Sequence, residues 1–339
     1  MAFELLDTRE LMGVIETRQP LLTFWLDRYF NNSFFSDSEY IDFDVVDRGR
    51  RLAPFVVPNV QGQPMLQQGE YMRRFKPAYV KPKDAVDPNR LLKRRMGEAL
   101  GGSMTPQERE DAIVADILQE HRDMITRRWE WMACEAATKG EVTVSGENYP
   151  TRTVQFGRAA ANNVVLSGGA LWSAGTADPL ANIRTWNTQV FRSGSAGRDL
   201  IMGVDAADAF FQNAKVSDAL ETRRGSTTTL EKYNVAGSPV VFHGTLVGGL
   251  NIFTYNDVYE DNDGIEQPFL AADEVILIGD IAGTRAFGAI MDRKAGWEAQ
   301  AIFPKMWEQE DPSGLFIMSQ SAPLMIPGRP NASLRASVL

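Results

Sequence analysis

An α+β protein with extended appendages is predicted by three observations. Residues 105–140 carry the pattern of an overlong amphipathic helix. Residues 40–80 read as a pair of extended runs with a polar tip and no apolar core between them. From residue 199 onward, short apolar strands alternate with helical stretches in the manner of an α/β domain.

The helix opens on Thr105 as N-cap, Pro106 at the first helical position and Glu108 three residues past the cap. The threonine oxygen can take one orphan N–H and Glu108 can reach back to another, while proline has no N–H to leave unpaired. Glu108, Glu110 and Asp111 suit the positive end of the helix dipole. Lys139 and Gly140 mark the far end, where glycine can turn the chain left-handed. Val114, Leu118, His121, Ile125, Trp129, Met132 and Ala136 recur at intervals of three and four and so share a face, with Glu120, Arg127 and Glu130 assigned to the opposite one. Such a helix runs about 50 Å at ~1.5 Å per residue, where the mean globular helix has about 11–12 residues. Its charges exclude a membrane span, and the apolar set keeps no strict heptad. The expectation is one long helix along the side of a thin domain, with a break near Met124 as the alternative.

The first forty residues are mixed. Residues 5–15 suit a short helix. In the aromatic stretch 21–35, Leu22, Trp25, Leu26, Tyr29 and Phe30 fit a helical stripe that needs a surface to cover it, in its own domain or on a neighbouring subunit. Ile41, Phe43 and Val45 alternate with Asp42 and Asp44, a period-two strand. Pro54, Pro58 and Pro64 limit how deep that run can lie in a sheet. Residues 71–80 return as a second extended run, giving a long hairpin that must lie on something else. Residues 81–102 form a basic connector marked by Pro and Gly.

After the helix, residues 141–156 read as a β-hairpin turning at Ser145-Gly146. Residues 157–176 form a loop anchored by Trp172, and 178–191 a helix with Ile183, Trp186 and Val190 on one face. Strands follow at 199–204, 239–242, 250–255 and 274–280, with a helix from Asp205 between the first two. Asp261 to Gly264 is a hairpin turn. Strand-like runs at 286–292 and 297–307 precede a closing strand at 315–326, and the last dozen residues read as a loose polar tail.

The composition is that of a soluble globular chain: 339 residues, 44% hydrophobic and 23% charged, enough for one large or two to three smaller domains. The opening residues lack the basic start and apolar run of a secretory signal. Cys134, the single cysteine, excludes an intrachain disulfide, fits a reducing compartment and reads as a small core residue. The net charge of −9 argues against a tight grip on nucleic acid. Positive charge is concentrated at Arg73, Arg74, Lys76, Lys81, Lys83, Arg90, Lys93, Arg94 and Arg95, just downstream of the acidic Asp37, Glu39, Asp42, Asp44 and Asp47.

No cofactor or metal chemistry is predicted. His121, His243 and Cys134 do not make a zinc set, and no phosphate-cradling GxxxxGK[ST] loop is present. The glycines of 194–203 precede a strand instead of joining strand to helix. An EF-hand reading of Asp261 to Gly264 fails because Tyr259 and Leu270 stand where acids are needed. His121 reads as a hydrogen-bonded core residue, and no Ser–His–acid set can be assembled from spacing.

Five strings resemble the major capsid proteins of lambda-type tailed phages, the capsid protein E family. They are PAYVKPKDAVDPNRLLKRR (77–95), SGGALWS (167–173), ETRRGS (221–226), FPKMW (303–307) and MSQSAPLM (318–325). The resemblance implies the Hong Kong 97-type phage capsid fold, here an N-terminal arm (1–39), an extended β-hairpin loop (40–85), a peripheral domain (86–180 and 296–327) with its spine helix at 105–139, an axial α/β domain (181–295) and a C-terminal tail (328–339). It implies no enzyme, but a virion subunit assembled in the host cytoplasm that forms pentamers and hexamers with itself and closes an icosahedral head around double-stranded DNA. Decoration protein, scaffold and portal are the further partners implied, without membrane. No match for self-catalysed Lys–Asn cross-linking is found. Candidate inter-subunit contacts are Trp25, Tyr29, Phe30, Asp42, Asp44, Arg73, Arg74, Lys76, Lys81, Lys83, Arg94, Arg95, Arg223 and Arg224, with the basic run expected to meet the acidic segment of an adjacent subunit; a solvated charged face is the alternative for that run, and a helix C-cap the alternative for Arg223 and Arg224. An encapsulin-like shell around enzymes and an unrecognised α/β binding module are the alternative functions.

Overall fold

A computed structural model describes residues 11–12, 21, 23–45, 71–86, 93, 104–146, 149–193, 195–221, 239–246, 248–261, 264–311 and 314–339. The helix at Pro106–Thr138 is unbroken past Met124. Its N-terminus is a capping box: the Glu108 N–H donates to Thr105 Oγ1 at 3.2 Å, and the Thr105 N–H donates to Glu108 Oε2 at 2.7 Å. Gly140 ends it with φ +71°. All seven residues of the expected apolar face are buried. Glu130 is corrected: it is 3% exposed, not on the solvent face.

Around this spine the chain runs in order as follows. A short helix, Trp25–Tyr29, leads into β1 (Asn32–Ser36), β2 (Ile41–Val45), β3 (Tyr71–Phe75) and β4 (Lys83–Val86). The expected aromatic stripe is therefore one helical turn followed by a strand. β1 pairs in parallel with β14, so Phe34 and Phe35 sit opposite Ala286 and Phe287. β2 and β3 form the expected antiparallel hairpin, Ile41 opposite Phe75. β4, within the presumed connector, adds to a sheet beside β16. After the spine come β5 (Glu141–Gly146) and β6 (Tyr149–Gln155), the hairpin read from the sequence, then β7 (Asn163–Val165).

The helix Pro179–Arg192 is capped by Asp178, whose Oδ1 accepts the Ala181 N–H at 3.0 Å. β8 (Asp199–Met202) is followed by two helices, Val204–Gln212 and Ala214–Glu221, where one was expected. The break is at Asn213, whose side-chain oxygen accepts the Lys215 N–H. The first of these helices is capped by Gly203 without a side-chain cap, so Asp205 is not the cap. Gly203 is required there, because a Cβ would lie 2.3 Å from the Ala271 oxygen. β9 (Val240–Leu246), β10 (Leu250–Tyr255), β11 (Val258–Glu260), β12 (Glu266–Pro268) and β13 (Glu274–Ile278) follow, with the Asp261–Gly264 turn between β11 and β12. β14 (Gly283–Gly288), β15 (Phe303–Gln309), β16 (Gly314–Gln320), β17 (Pro323–Pro327) and β18 (Ser333–Ser337) complete the chain.

Two readings of the C-terminal region are corrected. The run 315–326 is two strands in different sheets: β16 lies between β15 and β4, while β17 pairs with β14. The supposed loose tail holds β18, an interior strand of the main sheet, whose order is β7-β18-β13-β8-β10-β9. Leu334, Ala336 and Val338 are fully buried, a period-two pattern too short to stand out beside Gly328 and Pro330. Packed against them are Leu200, Leu277, Trp186 and Phe210. Leu334→Ala is expected to destabilise the fold by about 2–5 kcal/mol, measurable as a lower urea midpoint; an unchanged midpoint would contradict the placement of β18.

Candidate functional site

The N-terminal segment meets the body of the protein at three charged contacts around one helical turn. A turn of five residues leaves the N–H groups at its start and the carbonyls at its end without intrahelical partners. The N–H groups of Phe24, Trp25 and Leu26 donate to the Glu130 carboxylate at 2.8, 2.7 and 2.9 Å. At the other end, Arg285 on β14 donates to the Phe30 oxygen at 2.6 Å and the Leu26 oxygen at 2.8 Å, and reaches Asp27 at 3.2 Å. On the flank, Arg28 makes a bidentate pair with Asp199 at 2.8 and 2.7 Å. Tyr29 and Asn251 each donate to the same carboxylate at 2.8 Å.

The electrostatics follow from burial. Glu130 is pushed up to about 7, because desolvation outweighs the three amide bonds that favour the anion. Burial also works against the Asp199 anion, but the bonds from Arg28, Asn251 and Tyr29 outweigh it and hold its carboxyl below the usual range. The Asp199 bond in turn raises Arg28, and desolvation raises the Tyr29 hydroxyl. Rings complete the contact: Phe24 lies 5.5 Å from Tyr255, and the Arg28 guanidinium 4.7 Å from the Phe253 centroid. Gly283 permits the approach, since a Cβ there would sit 2.4 Å from the Tyr29 oxygen.

Three of the candidate contacts are covered by the chain itself. Trp25, Tyr29 and Phe30 are 0%, 8% and 0% exposed within the chain's own core, so their cover comes from the same molecule. The charge pairing is also internal where it is described. Strand register sets Asp42 opposite Arg74, and Arg74 Nε donates to Asp42 at 2.8 Å. That bond raises Arg74 and lowers Asp42. Lys76 pairs with Glu39. Arg73 stands opposite Phe43 and Asp44 opposite Met72. Lys81 lies 4.6 Å from the Tyr79 ring centroid and Lys83 4.2 Å from that of Phe316. Arg94, Arg95, Arg223 and Arg224 lie outside the described residues.

Spacing missed one constellation. His121 is fully buried, with Nδ1 3.1 Å from Ser319 Oγ and Nε2 2.8 Å from Asp84 Oδ2. The order Asp–His–Ser resembles a hydrolytic triad, but Ser319 is 0% exposed and no substrate can reach its hydroxyl. The arrangement ties β4 and β16 to the spine. Cys134 is likewise internal, its thiol 3.2 Å from the Phe269 oxygen and raised by burial. Among the described residues no group of His, Cys, Asp and Glu could hold a metal ion, and no helix is long and apolar enough to cross a membrane.

The clamped N-terminal segment, the long spine helix, the strand hairpin and the mixed sheet that takes back the C-terminus are parts of the kind that the resemblance to the Hong Kong 97-type capsid fold implies. The family model for phage major capsid protein E matches residues 7–338, and the chain belongs to that family, whose members are structural proteins of the virion capsid. It is 30% identical to the major capsid protein of Escherichia phage lambda over 334 residues, 96% of each chain. The major capsid protein of Enterobacteria phage P21 is also 30% identical, over 95% of this chain and 96% of that one. A crystal structure described as a prophage capsid protein of E. coli CFT073 superposes with a TM-score of 0.74 at 23% identity, covering 98% and 99% of the two chains. The capsid of cyanophage P-SCSP1u gives 0.51 at 10% identity, covering 99% of this chain and 91% of that one.

Glu130 supplies the test of the clamp. Its folded pKa of about 7 lies above the ordinary 4.5, so the folded state holds the proton more tightly than the unfolded chain. The resulting contribution to stability is present below about pH 4.5 and is lost as pH rises through about 7. The Glu130→Gln variant is expected to lack this component, so the urea-derived stability difference between wild type and variant changes across that window. Glu130→Ala, which strands three backbone donors, two of them buried, is expected to cost at least about 2 kcal/mol. A pH-independent difference would show that Glu130 does not titrate there.

Proposed function

We propose that this chain builds the head of a tailed double-stranded DNA phage, assembling with itself into pentamers and hexamers and then a closed icosahedral shell. The observation that carries this reading is the end-to-end match to major capsid proteins, over 96% of the chain for that of lambda. Fold alone would leave a cargo-enclosing compartment open; the family match favours a genome container. Scaffold, portal and decoration proteins are the partners this role would require, and assembly would take place in the host cytoplasm. The domain division into arm, hairpin loop, peripheral part and axial part is retained as a proposal, with the last strand moved into the core.

The apolar anchors for neighbouring copies are assigned to side chains the chain leaves uncovered. Phe34, Phe35 and Phe242 are about half exposed, and Trp297 is 61% exposed. Trp297 also has φ +65°, a costly backbone for a bulky residue, beside Gly296 at +66°. Exposed aromatics held at such positions are the usual anchors of protein interfaces.

Electron microscopy of the expressed protein is expected to show closed particles; a compact small oligomer under every condition would defeat the capsid reading. Trp297→Ala is expected to reduce particle yield at least about fivefold while leaving the melting temperature of subunits unchanged. The hairpin charges are tested by reversal. Arg74→Asp alone is expected to lower particle yield, and adding Asp42→Arg is expected to restore it. If the double variant stays as poor as the single one, the Arg74 partner in the shell is on another copy.

A further inference from the structure

A polar cavity of about 280 Å³ opens where the spine helix ends and the β5–β6 hairpin begins. Its wall includes Lys139, Gly140, Glu141, Arg158 and Arg335. Arg158 crosses Gly140 so closely that a Cβ there would lie 2.5 Å from its Cδ. Its guanidinium donates to the Thr138 oxygen, to the Ala137 oxygen at 3.4 Å and to the Asn162 oxygen at 3.0 Å. These bonds cap the last carbonyls of the spine helix, but neutral acceptors leave the charge uncompensated.

The neighbouring cations have their own partners. Lys139 pairs with Glu135 at 2.7 Å, and Arg335 pairs with Glu274. Arg158 has no ion pair among the described residues; burial, with Arg335 as a like-charged neighbour, brings it down to about 9. The Nε–H groups of Arg158 and Arg335 are both buried and lack an acceptor among the described residues. A cavity walled by three cations and a single acid, one of those cations an arginine with no ion pair among the described residues, has the chemistry of a site whose counter-charge arrives from outside the fold.

We propose that this cavity is an oxyanion site in which Arg158 and Arg335 bind a phosphate or a carboxylate, with Lys139 at the rim. The anion comes either free from solution or as an acidic side chain of a second copy packed against the hairpin base. The free-subunit form of the proposal does not depend on shell formation.

The test is thermal unfolding of purified subunits during titration with inorganic phosphate, with sodium chloride at equal ionic strength as the control. Phosphate strengthens apolar burial in any protein, so the quantity read is the excess of wild type over variants. A saturating excess of about 2 °C or more over Arg158→Gln is expected. Lys139→Gln removes a rim charge together with its exposed pair to Glu135, and is expected to raise the midpoint phosphate concentration about threefold. It carries the test if Arg158→Gln does not fold. Equal shifts in wild type and Lys139→Gln, or in phosphate and chloride, overturn the proposal. The same titration on assembled particles separates the sources: a lost response assigns the site to a neighbour's carboxylate, and a retained one to a free anion. Failure to form particles would count against the capsid reading and leave the subunit result standing.

Discussion

A single turn of helix cannot satisfy its own backbone, and this turn buries one face, Trp25, Leu26 and Tyr29, in the core. That constraint organises the molecule. Orphan N–H groups at one end and orphan carbonyls at the other cost free energy in the interior unless a partner reaches each of them. Glu130 supplies the acceptor at the start of Trp25–Tyr29, and Arg285 the donor to the Phe30 carbonyl at its end. A carboxylate at the N-terminal end and a guanidinium at the C-terminal end also match the orientation of the peptide dipoles. Asp199 fixes the rotation of the turn through Arg28 and Tyr29. Three elements distant in sequence are thereby locked to one another: the spine helix, β8 and β14.

The cost of this arrangement falls on Glu130. Its carboxylate is taken from water without a cation among its hydrogen-bond partners, and three amides do not offset the full desolvation. Asp199 is balanced differently, because an arginine shares its site. The clamp therefore has a rigid side at β8 and a side at the spine whose strength depends on one proton. Its contacts span more than 100 residues of chain at Glu130 and more than 250 at Arg285, so the turn is secured only after the spine and the C-terminal strands have met.

What could be read from the sequence was what local chemistry determines. The capping box, the glycine stop and the helical apolar stripe all lie within the spine's own residues. The β2–β3 and β5–β6 hairpins announced themselves by alternation. Glu130 was misplaced because a binary pattern treats every carboxylate as solvent-facing, and the three amides it serves lie about 105 residues away. The strand at Ser333–Ser337 was missed because a short alternation beside Gly328 and Pro330 has no local mark of burial; its neighbours in the sheet settle it. β16 and β17 merged into one run because both are mainly apolar and only Gln320 to Ala322 lie between Ser319 and Pro323, so pairing with different sheets is what separates them. The Asp84–His121–Ser319 contact joins a strand, a helix and another strand, a proximity that no spacing encodes.

The placement of the basic run changes what its charge can do. A free stripe of lysines and arginines would bind DNA phosphates and release counterions, with affinity set by the number of contacts. Here Arg74 and Lys76 are matched by Asp42 and Glu39 across the hairpin. Lys81 and Lys83 rest over aromatic rings. Each of these cations is engaged within the chain, and the whole chain carries −9. At these four positions a phosphate contact would have to displace a partner the cation already has.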